Sequence, residues 1–456
     1  MLINFACQNF RSIKESITFS TIASKVTRMD SHLVKFADHR ILRGSFLFGA
    51  NASGKSNFVK AIDFARRIVC FGFESVSCDG MHFRLANEAE KVGVFQFNIL
   101  ACDKKFYSYG FAIDYFNHVI AGEWLYDVTD AKEEICVFSR ERDEATSQYS
   151  VKTGLELEGA ENNRFEVYCE DFMARGMRRT LFLVDVAKRG GNMEFARGFQ
   201  AVRKWFQKLI VLFPDSKFTG DPSYAYDVKD RNTISELLKH FDTGIEKIIN
   251  VKIDPDRFWD SVPLEIREKL KIDVSRALLS GTSSAGHTVV TVNNPRASYS
   301  FYMQDGELRC EKVASDHGNP KDPFERGDES EGTQRLFDLI PLYKAFEDDI
   351  VVVIDEIDRS LHTKATREFV RLFYENEKTN HSQLIATTHD AELLDLDALR
   401  QDEIWFVDRN KDKCSQFYPL TKFKARFDKD IKKEYFLGRY GALPIFDSFA
   451  DLESEE

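Results

Sequence analysis

Apolar and polar positions change their spacing along the chain, and each change predicts an element. LRGSFLF (42–48) is a short apolar run leading into a glycine-flanked loop, and NFVKAIDFARRIV (57–69) has apolar residues three and four apart, so a buried strand passes through a loop into a helix. VGVFQFNIL (92–100) and KFYSYGFAID (105–114) alternate and predict an antiparallel pair. From about 166 to 285 the spacing is helical, in ENNRFEVYCEDFMARGM, GNMEFARGFQAVRKWFQKLIVLF and RNTISELLKHFD. ASYSFYMQDGELRCEKV (297–313) predicts a hairpin turning at Asp305-Gly306 that returns the chain to the core. IVVVIDEID (350–358) begins with five β-branched residues and reads as a fully buried strand of a parallel sheet. HSQLIATTHD (381–390) is a second such strand, one helix later. The expected fold is α/β: a P-loop core with a mixed sheet, made of 1–165 and 286–456 and interrupted by a mainly helical insertion, 166–285.

Length and composition limit the class. At 456 residues the chain is longer than one hydrophobic core supports, so two or three lobes are expected. With 43% hydrophobic and 30% charged residues it is not a disordered chain. No window approaches the ~18 uninterrupted apolar residues that span a bilayer, and MLINFACQNFRSIK lacks the charged-then-apolar order of a signal peptide, so no membrane association and a cytoplasmic location are expected. The eight cysteines form no CxxC pair and read as reduced packing residues. A formal net charge of -11 argues against wrapping nucleic acid by phosphate neutralisation, although a local basic patch could bind DNA. Two patches are present, 174–191 (with Arg175, Arg178, Arg179, Lys188 and Arg189) and 421–435; each reads as a solvated face or as a surface for an acidic partner or DNA.

The candidate chemistry sits at the strand ends. GANASGKS fits G-x-x-x-x-G-K-S, with Gly49, Gly54, Lys55 and Ser56, between a strand and a helix. In such a loop the backbone N–H groups of Gly49, Asn51, Ala52, Ser53, Gly54 and the residues opening the helix, as far as Asn57, would surround phosphate oxygens. Lys55 would neutralise β- and γ-phosphate charge, and Ser56 would ligate magnesium. Hydrolysis needs a second carboxylate and a group that orients water: Asp355 would hold magnesium and Glu356 would polarise the water. His389, at the end of the following strand, could contact the γ-phosphate. The implied ligands are ATP and Mg2+.

Together these pieces resemble the ABC-type ATPases, with GDESEGTQRLFDLIPLYKAF (327–346) as the decisive group. That family places a signature at the start of a helix just before the carboxylate strand. Ser330 and Gly332 match its serine and second glycine, while Glu331 and Thr333 depart from the transporter form and fit the SEGTQ or SDGT form of the branch that holds the overcoming-lysogenisation-defect (OLD) nucleases and stand-alone abortive-infection ATPases. The resemblance implies that Ser330 and Gly332 face a γ-phosphate bound to another protomer's loop, so that ATP sites are composite and the active species is at least a dimer. It also reaches NFRS (9–12) and DIKKEYFLGRYGALP (430–444), which is similar to the close of stand-alone members; no glutamine is assigned to the family's Q-loop, and HFRL (82–85) stands at its place by position only. Pro341 is expected to bend the signature helix.

Among the function classes, long SMC-like arms would need extended heptads that the helical stretches do not provide. A nuclease would need a further acid cluster, and DPDRFWD (254–260) and DLDALRQDE (395–403) read instead as solvated loops. The chain resembles the ATPase subunit of two-gene antiphage systems such as PARIS. This implies an ATP-hydrolysing sensor that gates a separate effector, such as a TOPRIM nuclease, on a phage-encoded trigger. The alternative is a DNA-repair ATPase of the RecF and SMC kind.

Overall fold

The computed structural model describes residues 1–130, 132–143, 146, 148–216, 228–280, 288–293, 297–379, 381–423 and 430–443. They form two compact units. The larger is Met1–Asp215 with Phe346–Asp358 and Thr366–Glu456, and the smaller is Ser216–Ala345 with Arg359–Ala365.

In the larger unit a six-stranded sheet runs in the order Leu209–Leu212, Val351–Ile354, Gln383–Thr388, Gly44–Phe48, Ile404–Arg409, Ser415–Pro419. The first five strands are mutually parallel and the last is antiparallel to its neighbour. Gly44–Phe48, Val351–Ile354 and Gln383–Thr388 are buried throughout, which is why they read as unbroken apolar runs rather than alternating ones. A seven-stranded antiparallel sheet runs from Tyr149–Lys152 through Glu133–Arg142, Val119–Asp130, Phe106–Asp114, Val92–Leu100 and Leu2–Gln8 to Ile17–Ser20.

The helix Lys55–Phe71 packs against residues of both sheets, and its aromatic side chains make the join. Phe58 lies 5.6 Å from Phe5 and 5.1 Å from Phe19 on one side and 5.6 Å from Phe417 on the other, and Phe64 lies 5.4 Å from both Phe10 and Phe95. Such edge and tilted ring contacts fix orientation as well as bury area. The loop ahead of this helix is thereby held on a rigid support. At the far edge of the parallel sheet the last described segment closes the unit. Tyr440 stacks on Phe406 at 5.3 Å, and the Ala442 amide donates to Asp408 at 2.9 Å.

The helices Gly159–Ala174, Phe182–Arg189 and Ala196–Lys208 belong to this larger unit, where Phe165, Phe182 and Phe199 join the core of the antiparallel sheet. The compact units thus divide the chain after Asp215, not at the start of the insertion expected at 166–285. The smaller unit also holds a four-stranded antiparallel sheet, in the order Lys247–Ile253, Glu307–Asp316, Ser298–Gln304, Val289–Asn293. The expected hairpin is therefore present, with Asp305 and Gly306 at φ 52° and 80°, but it belongs to the smaller unit. The signature helix, Glu331–Leu339, packs through Leu336, Phe337 and Ile340 against Ile234, Leu238, Ile245 and Ile248. Pro341, expected to bend this helix, instead interrupts it: the helix ends at Leu339, a residue without an N–H cannot continue the ladder, and Leu342–Ala345 follows as a separate turn of helix. Among the described residues no helix is long and apolar enough to cross a membrane. The cysteines are all unpaired, and five of them, Cys7, Cys78, Cys169, Cys310 and Cys414, are buried.

Candidate nucleotide site

The strand Gly44–Phe48 ends in a loop whose backbone turns through left-handed conformations, φ 62° at Ala52 and 115° at Gly54. Gly54 is required there twice over. Its φ is costly for any other residue, and a Cβ would stand 2.0 Å from the Ser415 hydroxyl. Gly54 caps Lys55–Phe71 without a side chain; its carbonyl accepts the Asn57 and Phe58 N–H groups at 3.0 and 3.1 Å, and the N–H groups of Lys55 and Ser56, which open the helix, have no acceptor within it.

Lys55 is only 4% exposed, and its ammonium donates to Gly49 O at 2.6 Å and Ala50 O at 3.1 Å and lies 3.3 Å from His389 Nδ1. Burial lowers its pKa to about 8, against the pull of Asp355, Glu356 and Asp358. Burial and the Lys55 charge likewise push His389 below its ordinary value, so its imidazole is neutral near pH 7.

The two strand-end carboxylates are held by Thr387. Its hydroxyl donates to Asp355 Oδ1 at 2.7 Å and accepts the Glu356 N–H at 2.8 Å. Asp355, 3% exposed, also accepts from the Ser56 hydroxyl at 3.2 Å. Glu356 has φ 50°, a left-handed turn that ends the strand, and His389 Nε2 stands 3.7 Å from its carboxylate. Asp358 accepts the His389 backbone N–H at 3.3 Å, tying that loop to the carboxylate strand.

Lys55, Ser56, Asp355, Glu356 and His389 are thus brought together from three neighbouring parallel strands. The donor set suits a hard cation: one hydroxyl and one carboxylate, 3.2 Å apart, leave the remaining positions to phosphate and water, as magnesium prefers. The loop fits a phosphate by the same test. It has a buried ammonium, a left-handed backbone turn, and a Ser53 hydroxyl, 3% exposed, that has no hydrogen-bond partner. Asn51 and Ala52 are exposed on the loop, and Gly49 packs so closely that a Cβ would come within 2.2 Å of Val407 O. Asn57, whose backbone is expected to help surround the phosphate, donates its N–H to Gly54 O at 3.0 Å and its side-chain amide to Ser12 Oγ at 2.7 Å.

Ser330 and Gly332 lie in the smaller unit. Ser330 caps its helix, accepting the Thr333 N–H at 3.2 Å. Gly332 passes close to Ser360, whose carbonyl would be 2.9 Å from an added Cβ. In HFRL (82–85) Phe83 is buried and its N–H donates to Asn9 Oδ1 at 2.8 Å, while the His82 ring packs on Phe116.

Two sequence expectations about charge change. In the basic run, Arg175 and Arg189 clamp Asp171 and Asp185 at 2.8–3.3 Å, and Arg179 pairs with Glu74 at 3.2 Å. Much of the run is therefore locally neutralised by acids that the linear sequence does not place beside it. Three of the four acids of 395–403 are structural, and only Asp397 is solvated. Asp395 pairs with Arg367, Asp402 with Arg400, and Glu403, fully buried, accepts from Tyr374 and lies 3.0 Å from His32 Nδ1. The second basic patch lies partly outside the described residues, at 424–429. Thr387, Asp358 and Ser415 have no role in the sequence reading, and Ser12 enters it only as part of NFRS (9–12); Thr387 and Asp358 carry a weak signal, being polar residues at the ends of buried strands.

The sequence matches one family model, "AAA domain, putative AbiEii toxin, Type IV TA system", over residues 45–165 and 198–395, well over half the chain. No curated protein matches it. Solved structures similar to it include a Smc head bound to the C-winged helix domain of ScpA, at 14% identity, covering 93% of this chain and 99% of that one, with a TM-score of 0.41. A Smc head with an extended coiled coil, bound to the C-terminal domain of ScpA derived from Pyrococcus furiosus, gives 13% identity, 93% and 97% coverage and a TM-score of 0.40. The recombination mediator protein RecF with ATP gives 13%, 92% and 99%, with a TM-score of 0.34.

Proposed function

The chain belongs to this family of AAA domains, and from that premise we propose that it binds and hydrolyses ATP with magnesium and uses the cycle to gate a separate effector in an abortive-infection response to phage. The observation that carries the ATPase reading is the convergence of Lys55, Ser56, Asp355, Glu356 and His389 on one loop. Lys55, already desolvated, is placed to meet phosphate charge at little further cost. Ser56 and Asp355 would hold magnesium, which when bound draws charge from the transferring phosphoryl group. Glu356 is fixed through its backbone by Thr387, which leaves its carboxylate to orient a water, and neutral His389 can donate a hydrogen bond toward a terminal phosphate.

The gating reading is supported by the family's association with a toxin and a type IV toxin–antitoxin system, and by the resemblance of Ser330-Glu331-Gly332-Thr333-Gln334 to the signature of stand-alone abortive-infection ATPases. The effector would be a separate protein, a TOPRIM nuclease being one kind, released on a phage-encoded trigger. For the alternative, a DNA-repair ATPase of the RecF and SMC kind, the basic run offers less free charge than the sequence suggests, because Arg175, Arg179 and Arg189 pair with Asp171, Asp185 and Glu74.

In the test, purified wild type binds and slowly hydrolyses ATP, Lys55→Ala loses binding, and Glu356→Gln binds while turnover falls by about a hundredfold or more. Equal ATP affinity in Lys55→Ala and wild type would remove the loop from the reading. In the same series the protein encoded beside this chain co-purifies with it; if neither wild type nor Glu356→Gln retains that protein, the gating part falls and the ATPase part stands.

A further inference from the structure

Behind the phosphate loop lies a chain of hydroxyls that the reaction does not use. Ser415 Oγ donates to Ser53 O at 2.7 Å, Ser12 Oγ is 2.7 Å from Ser415 Oγ, and Asn57 Nδ2 donates to Ser12 Oγ at 2.7 Å. The Ser415 N–H also donates to Ser12 O at 2.8 Å, so the two serines, 403 positions apart in the chain, are fastened by backbone as well as side chain.

Each serine has one hydroxyl proton, which fixes the direction of the chain. Ser415 gives its proton to Ser53 O and must accept from Ser12, and Ser12 accepts from Asn57, whose amide can only donate. The relay therefore leaves the first turn of Lys55–Phe71, passes through the Asn9-Phe10-Arg11-Ser12 segment and the edge strand Ser415–Pro419, and returns to the loop at Ser53. Aligned hydroxyls in a buried setting strengthen one another, and Ser415 is only 5% exposed.

The geometry points to Ser415 and Ser12 as positioning residues for phosphate binding, acting on the Ser53–Gly54 peptide; this deepens the proposed ATP site and rests on it. A trans peptide is planar, with C=O and N–H on opposite sides. Holding Ser53 O back against Ser415 therefore aims the Gly54 N–H away from Ser415, the side from which a phosphate in the loop would meet it. Gly54, at φ 115° and without a Cβ, is the residue in this loop freest to let that peptide turn over. If it turned, a carbonyl would replace an N–H facing the phosphate. The same contact explains the closeness of Ser415 to the missing Cβ of Gly54.

The experiment measures ATP affinity and steady-state hydrolysis for wild type, Ser415→Ala, Ser12→Ala and the double variant, with Lys55→Ala as the non-binding reference. Loss of one anchoring hydrogen bond should raise the Kd and KM for ATP about five- to tenfold in Ser415→Ala and less in Ser12→Ala, while kcat changes by less than about twofold. Because both serines serve one relay, the double variant should bind no more weakly than Ser415→Ala. A residue that merely supported the fold would lower the folded fraction and kcat in step and leave KM unmoved. If Ser415→Ala does not fold, partly exposed Ser12, with Asn57→Ala, carries the test from the other end. Wild-type affinity in the single variants, or additive losses in the double, overturns the relay while leaving the ATP site in place. Failure of the wild type itself to bind ATP removes both.

Discussion

Glu123 is completely buried, yet its carboxylate accepts the Phe182 N–H at 2.7 Å, the Leu183 N–H at 2.9 Å and the Tyr109 hydroxyl at 3.1 Å. It thereby satisfies two free donors at the start of Phe182–Arg189 from a strand of the antiparallel sheet, with Arg140 3.8 Å away. Arg140 in turn donates to Met177 O and Thr180 O and lies over the Tyr149 ring at 4.2 Å. Glu123→Ala should therefore cost about 3–5 kcal/mol, because it leaves a buried guanidinium and two buried N–H groups short of a partner. Burial pushes the Glu123 carboxyl upward, so neutral Glu123→Gln is the milder change, about 1–2 kcal/mol. Urea unfolding of both variants checks this, and an Ala variant with the wild-type midpoint would show that the pair holds nothing. Nothing in the sequence marks Glu123, whose partners come from residues 109, 140 and 182. By contrast, Gly49–Ser56, Asp355, Glu356 and His389 could be read as one cluster, because each sits at a strand end within a few residues of a recognisable loop. Ser12 and Ser415 act only through closeness in space, which a linear pattern does not contain.

For elements, period and length were readable and packing partners were not. The hairpin at Asp305-Gly306 follows from local chemistry alone, since the turn needs two left-handed residues, whereas the missing N–H of Pro341 marks an irregularity in the helix but reads as a bend where the helix breaks. The helices between 159 and 208 show the limit. An amphipathic stripe says that one face is buried but not against what, so helices that cover the antiparallel sheet read the same as helices of a separate lobe. The signature helix gives a test at this scale, within the smaller unit. Gly332 runs against the backbone carbonyl of Ser360, itself at φ 59°, and a methyl there meets backbone rather than a movable side chain. Gly332→Ala should thus destabilise by about 1–3 kcal/mol although Ala is the better helix former. Unchanged or raised thermal stability would mean that the turn at Ser360 yields freely.

For the whole molecule, the groups proposed to act on phosphate belong to the larger unit and Ser330 to the smaller, so the question is whether one protomer suffices. The proposal that Ser330 serves another protomer's loop has a distinctive stoichiometry. Lys55→Ala removes the loop's cation and Ser330→Ala the signature hydroxyl, and each alone should be inactive as a homodimer. In a two-fold assembly made by random 1:1 mixing, half the dimers pair one variant with the other. Each such dimer has one site carrying both defects and one carrying neither, so activity should recover to about a quarter of wild type. A site completed within a single protomer gives no recovery, because every protomer then keeps its own defect. Ser330 also caps its helix, and loss of that cap costs about 1 kcal/mol, so the Ser330→Ala protein must first be shown to be folded at the assay temperature. Recovery that rises with protein concentration and reaches this fraction would establish a shared site, whereas a wild-type protein that hydrolyses ATP at concentrations where light scattering finds only single chains would refute it.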